Sequence, residues 1–235
     1  MTRINKYIAS SGLCSRRKAE EYIEKGLVTI NDEIAVLSSI VNQNDVVKLN
    51  NEIIKPKQDF VVLAFNKPKG ITCTTEHKVK DNIIDYINYP ERIFPIGRLD
   101  KDSNGLILLT NNGDLVNKCL RKENAHQKEY IVRVDKPLTN DFISLMQKGV
   151  KIYNPVNNKY VVTMPCTLKQ LGKNHFSIIL QQGLNRQIRR MCLALDYHVI
   201  SLKRIRFMNI NLDIDEGKYR LLNQNEIDEF LKDLG

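Results

Sequence analysis

Residues 96–115 read IGRLDKDSNGLILLTNNGDL. The apolar run GLILLT, 105–110, has the composition of a buried strand, with Asn-Gly and Asn-Asn-Gly punctuation on either side. Ahead of it, Arg98 and Asp100 flank Leu99, and on extended backbone their side chains would share one face. Asp102, Ser103, Asn104 and Gly105 are ordinary turn residues, but a turn leaves Arg98 and Asp100 without a purpose. A calcium loop fits less well. DKDSNG, 100–105, begins with the right pattern, yet its twelfth position is Asn111 where a bidentate Glu is required, and the flanking FPIGRL and LILLT segments are not helical.

Outward from this segment, FVVLAFNKP (60–68), KEYIVRV (128–134) and HFSIIL (175–180) also read as strands, with Tyr130, Val132 and Val134 alternating against Ile131 and Arg133. Thr139 can cap a helix carrying Phe142, Leu145 and Met146 that ends at Gly149, and a last helix is predicted over 225–234 with Ile227, Phe230, Leu231 and Leu234 facing inward. Strands and helices do not alternate regularly, and neither GxGxxG nor GxxxxGK[ST] occurs. A doubly wound nucleotide-binding sheet is therefore not expected; a domain of mixed α and β structure is.

The first fifty residues differ in kind. Ile4, Tyr7 and Ile8, then Ala19, Tyr22 and Ile23, have helical spacing on either side of a break at Gly12. Ser15 is placed to cap the second helix and Gly26 to end it. The short runs LVTI, EIAVL and DVVKL follow as strands. Arg16, Arg17 and Lys18 then fall in a first helical turn, where the dipole disfavours cations by about 0.3 to 1 kcal/mol each at exposed positions. A surface that contacts phosphates would account for that placement, with Arg3 and Lys6 nearby; a solvated basic face is the plainer alternative. Two helices followed by a small sheet resemble the alpha-L RNA-binding module first known from a small-subunit ribosomal protein. The chain thus divides into 1–54, a linker KPKQD at 55–59, and a larger domain at 60–235.

Composition agrees with an RNA partner. The 235 residues carry a net charge of +9 with a pI near 9.2, which favours a polyanion. Basic residues concentrate at 1–19, where there is no acid, and at 183–208, where six stand against Asp196 alone. Five dispersed cysteines without a CxxC pair give neither a disulfide framework nor a zinc ribbon. MTRINKYIASSG holds no apolar run of signal-peptide length, and no segment reaches the roughly 18 apolar residues of a membrane span. A cytoplasmic protein with no membrane partner is expected.

QGLNRQIRRMCLALDY, 182–197, places Leu184, Ile188, Met191, Cys192 and Leu195 on one helical stripe and Arg186, Arg189 and Arg190 opposite. These arginines could form a solvated face. They could also hold Asp100 ionised in a dry pocket, since a guanidinium is the strongest available partner for a carboxylate.

GRLDKDSNGLILLTNNGDL, KEYIVRVDKPL and QGLNRQIRRM closely resemble the active-site segments of the RsuA-type ribosomal RNA pseudouridine synthases, in wording nearest the F type among those that modify large-subunit RNA. With the alpha-L module the resemblance covers nearly the whole chain. It implies an α+β fold, in which the small RNA-binding domain precedes a catalytic domain built on a mixed, largely antiparallel sheet. It also implies a cofactor-free, metal-free isomerisation in which uracil is detached, rotated and rejoined through carbon. Asp100 would be the nucleophile, Arg189 its ion-pair partner, Tyr130 the ring stacked on the base, and Arg98 a residue holding the RNA open. Lys67 and Lys69 of NKPKG, with Arg186 and Arg190, would contact RNA. The expected partner is large-subunit ribosomal RNA, with tRNA a second candidate, and the protein is expected to act as a monomer. Ser103, Asn104 and NNG in place of NDG depart from commoner family wording without touching an assigned role. The rival reading is a non-catalytic RNA-binding ribosome-assembly factor. A metal-dependent hydrolase would need ligand clustering, and the four histidines are dispersed.

Overall fold

The computed structural model describes residues 1–57, 60–120 and 126–234. It comprises two compact units. The first contains residues 1–61 together with 89–93 and 111–113, and the second contains the remainder.

In the first unit a two-residue strand β1 (Thr2–Arg3) leads into helix α1 (Ile4–Ser10) and, after a turn through Gly12 with φ +84°, helix α2 (Arg16–Glu24). Ser15 caps α2 by accepting from the Lys18 N–H, and Gly26 leaves the helix with φ +67°, as the sequence predicts. The strands are β2 (Val28–Ile30), β3 (Glu33–Ile34), β4 (Ile40–Val41), β5 (Val47–Leu49) and β6 (Glu52–Ile54). β3-β2-β5-β6 form an antiparallel sheet, and β1 pairs separately with β4. Ile4, Ile8, Ala19, Ile23, Val28, Val41 and Val47 form the buried core beneath. The expected run EIAVL is a strand only at its first two residues, because its second half turns away to bring Ile40–Val41 beside β1. The chain at 55–57 is anchored to this unit. Lys57 donates its backbone N–H to Ser10 O at 3.0 Å and its ammonium pairs with Glu91 at 3.0 Å. Gln58 and Asp59, the end of the expected linker, lie outside the described residues.

The second unit runs β7 (Val62–Lys67), α3 (Ile83–Ile87), β8 (Phe94–Ile96), β9 (Asn104–Thr110), α4 (Gly113–Leu120), β10 (Lys128–Val134), α5 (Asn140–Lys148), β11 (Lys151–Asn154), β12 (Lys159–Val162), β13 (Thr167–Gly172), β14 (His175–Leu180), α6 (Gln187–Ala194), β15 (Val199–Phe207), β16 (Ile210–Asn211), β17 (Tyr219–Leu221) and α7 (Gln224–Lys232). Its main sheet has the order β13-β14-β10-β15-β9-β7-β17. Only β15–β9 is parallel, so the sheet is mixed and largely antiparallel. At that parallel junction Gly105 (φ +105°) is required. A Cβ there would lie 2.2 Å from Arg204 O. The core packs α5 and α6 on β10 and β14 through Val132, Val134, Phe142, Met146, Phe176, Ile178, Ile188 and Met191.

Leu231, expected to face inward, does not, and Leu145, expected only as part of its helix, is exposed as well. Leu231 of α7 is 37% exposed and Leu145 of α5 is 47% exposed, because each stands at the edge of the buried stripe rather than at its centre. Among the described residues, no helix is long and apolar enough to cross a membrane.

Candidate active site

The segment between β8 and β9 is not a strand. Gly97 has φ +76°, and the Ser103 N–H donates to Asp100 O at 3.1 Å, closing a turn over 100–103. Backbone contacts from the loop after β7 fix it. The Leu99 N–H points at Cys73 Sγ, 3.4 Å away, and Gly70 donates to Lys101 O at 2.8 Å. Leu99 is buried beneath, leaving Arg98 exposed and Asp100 partly exposed.

Lys67 explains how that loop is held. It is fully buried, and its ammonium donates to Pro68 O at 2.8 Å and Ile71 O at 3.0 Å, tying both ends of the turn together. Burial pushes its pKa down, with Cys73, Asp100 and Asp102 opposing. The expected RNA contact through Lys67 is therefore overturned: a side chain without exposed surface cannot reach a phosphate. Lys69, two residues on, is exposed in the turn.

Of the two readings open for Arg186, Arg189 and Arg190, a solvated face or cations around the Asp100 turn, the arrangement follows the second for Arg186 and Arg189. Arg186 caps α6 in the left-handed conformation (φ 49°, ψ 36°). This is an uncommon backbone for a long side chain, and its guanidinium reaches the turn at 100–103. There it grips Asp102 with both terminal nitrogens, at 3.0 and 2.9 Å, while the same group lies 3.6 Å from Asp100 Oδ2. Arg189, only 14% exposed, lies 3.4 Å from Asp102 Oδ2 and donates to Asp102 O, Ser103 Oγ and Val199 O at 3.2 to 3.3 Å. Arg190 folds onto Asn185. The ion pair expected between Asp100 and Arg189 is thus replaced: Arg186 is the cation beside Asp100, and Arg189 fastens the turn behind it. Nor is Asp100 in a dry pocket, for its side chain retains 30% exposure.

Asp102, which the sequence offers only as a turn former, is the anchor of the cluster. Its pairing with Arg186 holds its carboxyl below the usual range, and Asp102 in turn raises the Arg186 pKa. The signal is the two-residue spacing to Asp100, which a turn brings to the same side.

Arg98, Asp100, Tyr130 and Arg186 line one cavity of about 560 Å³ in the second unit, with Leu180, Ile188, Leu202 and Phe207 supplying apolar wall. Its size suits a small organic group. Tyr130 projects from β10 opposite Arg204 of β15 and packs its ring's flank against the core. Lys128, His126 and Arg204 also line the cavity, and the sequence reading assigns none of the three a role. Lys128 is two residues from Tyr130 on the same strand, a spacing that could have revealed it. Among the described residues no three His, Cys, Asp or Glu side chains gather as a metal site.

In the first unit Arg3, Arg16, Arg17 and Lys18 are exposed and Lys6 is partly so. Lys18 pairs with Glu21 at 2.6 Å, so part of the basic first turn is compensated within its own helix.

A family model described as RNA pseudouridylate synthase matches residues 61–194, and one described as S4 domain matches residues 2–47. A dual-specificity RNA pseudouridine synthase RluF of Salmonella typhi is 51% identical, over 98% of this chain and 79% of its own. The RluF of Escherichia coli K12 is 50% identical over 98% and 78%. The ribosomal large subunit pseudouridine synthase B of Bacillus subtilis is 33% identical over 97% and 94%. A solved pseudouridylate synthase superposes with a TM-score of 0.69 at 27% identity, covering 97% of this chain and 99% of that one.

Proposed function

The chain belongs to the RNA pseudouridylate synthase family, and from that premise we propose that it converts a uridine of large-subunit ribosomal RNA to pseudouridine in the cytoplasm, acting as a monomer, with tRNA as a second substrate class. The observation that carries this reading is that a partly exposed carboxylate, Asp100, with the Arg186 guanidinium 3.6 Å away, and an aromatic ring, Tyr130, line the same cavity. A base buried in a stack offers no access to its glycosidic bond, so the uridine must be flipped out at a cost of a few kcal/mol. Stacking on Tyr130 offsets about 1 to 3 kcal/mol of that, while Arg98 at the rim occupies the space the base has left. Asp100 is the nucleophile. The Asp100 carboxylate takes C1′ as the N1–C1′ bond breaks with its electron pair on the ring, the ring turns, C5 displaces the carboxylate from C1′, the C5 proton passes to solvent and N1 takes up a proton. Arg3, Lys6, Arg16, Arg17 and Lys18 of the S4 domain, with Lys69 and Arg190, bind the RNA backbone, and the two functional domains divide near residues 55–59.

Asp100→Asn tests the assignment because it preserves size and much of the hydrogen bonding. The substrate is ribosomal RNA lacking this modification and labelled with tritium at uracil C5. Wild type should release label at a single site, and the variant should bind the RNA yet release essentially none. Turnover by the variant within about tenfold of wild type, only about 1.4 kcal/mol in barrier, would make Asp100 structural.

A further inference from the structure

Asp100 has Arg186 beside it in the cavity, but the cation at the start of β10 has no such counter-charge among the described residues. Lys128 opens that strand with its side chain on the same face as Tyr130, and both line the cavity. An ammonium has three N–H donors. Among the described residues, Lys128 has one acceptor, the backbone oxygen of His126 at 3.0 Å. No carboxylate pairs with it there. Its surroundings are the Phe207 ring of β15, 5.7 Å from Nζ, the Arg204 guanidinium of the same strand, and the Cys119 thiol of α4. His126 beside it is 8% exposed, and among the described residues its Nε2 has no hydrogen-bond partner. A half-buried cation with spare donors next to an unpartnered imidazole nitrogen is costly to maintain in a largely apolar wall. Such a pair fits a ligand that is polar at its edge and bears negative charge.

The reaction supplies that ligand. When the N1–C1′ bond breaks heterolytically, the electron pair leaves with the uracil ring and spreads over N1, O2 and O4. The ring stays anionic until the pair forms the C5–C1′ bond, after which C5 loses its proton and N1 gains one. Asp100 and Arg186, which line the same cavity, serve the sugar and the turn. We propose that Lys128 is a further catalytic residue, whose ammonium donates to a carbonyl oxygen of the detached uracil and stabilises the negative charge the ring carries before it is rejoined. Lys128 keeps its protons throughout and transfers none. The inference rests on the proposed isomerisation.

Burial, reinforced by Arg204 and opposed by Cys119, pushes Lys128 down to a pKa of about 8. Its charge therefore disappears as pH rises through about 8, and the step it assists should weaken in the same range. His126 is also pushed down, first by burial and then by Lys128, with Asp233 opposing, so it stays neutral across that range.

The experiment is single-turnover tritium release from uracil-C5-labelled large-subunit ribosomal RNA, with enzyme in excess, for wild type, Lys128→Met and Lys128→Arg between pH 6.5 and 10. Lys128→Met should lower the maximal rate by about 10²-fold, the loss typical of one removed charge-stabilising donor, while the half-saturating enzyme concentration stays within about threefold. Wild type should lose rate above pH 8. Lys128→Arg, which stays charged, should keep at least about a tenth of the activity and show no such alkaline fall. A Lys128→Met rate within about threefold of wild type, or an alkaline fall unchanged in Lys128→Arg, would overturn the proposal. If the Met variant does not fold, the Arg profile decides alone. Wild type that makes no pseudouridine in any RNA would overturn the isomerase reading instead.

Discussion

Replacing Asp102 by Asn separates the two carboxylates of the turn, because they have different partners. Asp102 receives both terminal nitrogens of Arg186 and lies 3.4 Å from Arg189, whereas Asp100 has a single cation at 3.6 Å. Asp102 is about half exposed, at 49%, and Arg186 is 40% exposed, so solvent screens the pair. Exposed pairs contribute about 0.2 to 1 kcal/mol each. With bidentate geometry and two arginines, Asp102→Asn should cost about 1 to 1.5 kcal/mol, a fall of roughly 2 to 6 °C in Tm for a unit of this size. The pH dependence has a fixed sign. Pairing depresses the Asp102 pKa in the folded state, so its contribution is present above the unfolded carboxylate value near 3.9 and is lost as pH falls through the folded value. Differential scanning calorimetry should therefore show the Tm gap between wild type and Asp102→Asn closing as pH is lowered below about 4. In the tritium assay the variant should keep measurable turnover, slowed about tenfold by a looser turn, unlike Asp100→Asn. An Asp102→Asn protein of unchanged Tm and no turnover would refute the division, and would make Asp102 the reacting carboxylate.

Two further expectations come from other parts of the chain. Replacing Arg16, Arg17 and Lys18 together by Gln should leave folding intact, weaken RNA binding and flatten its salt dependence by up to about 0.9 log units of slope for each phosphate no longer neutralised, borrowing the DNA value; an unchanged slope would return the cluster to a solvated face. Lys67→Met should lower Tm and turnover, because it orphans the carbonyls of Pro68 and Ile71 at about 1 to 3 kcal/mol each if they stay dry, yet leave the salt slope of RNA binding untouched.

Legibility in the sequence follows the range of the interaction concerned. The Ser15 cap, the α1 and α2 stripes, and strands β7, β9, β10 and β14 are set by residues near in sequence, and periodicity finds them. The pairing of β1 with β4 joins two-residue strands nearly forty residues apart, and no local period marks it. Asp100 and Tyr130 stand out as a charge before a buried strand and an aromatic within one. Lys67 is misread because a lysine's composition signal is exposure, while its buried state depends on two carbonyls supplied by a turn. The left-handed backbone of Arg186 is equally invisible, and it is what turns a basic helix end into a clamp.

That clamp also bears on how Asp100 could act as the proposed nucleophile while sitting among arginines. A carboxylate gripped bidentately by a guanidinium has its lone pairs engaged and its charge spread, which makes it a strong anchor and a poor attacking group. Asp102 takes that role, absorbing Arg186 in both arms and drawing in Arg189. Asp100 is left with the fringe of the same positive field: a cation at 3.6 Å rather than a hydrogen-bonded fork. It gains an attractive potential for the anionic RNA backbone without surrendering its oxygens. Residues 100–103 are therefore best understood as one device, in which the second aspartate exists so that the first can remain available.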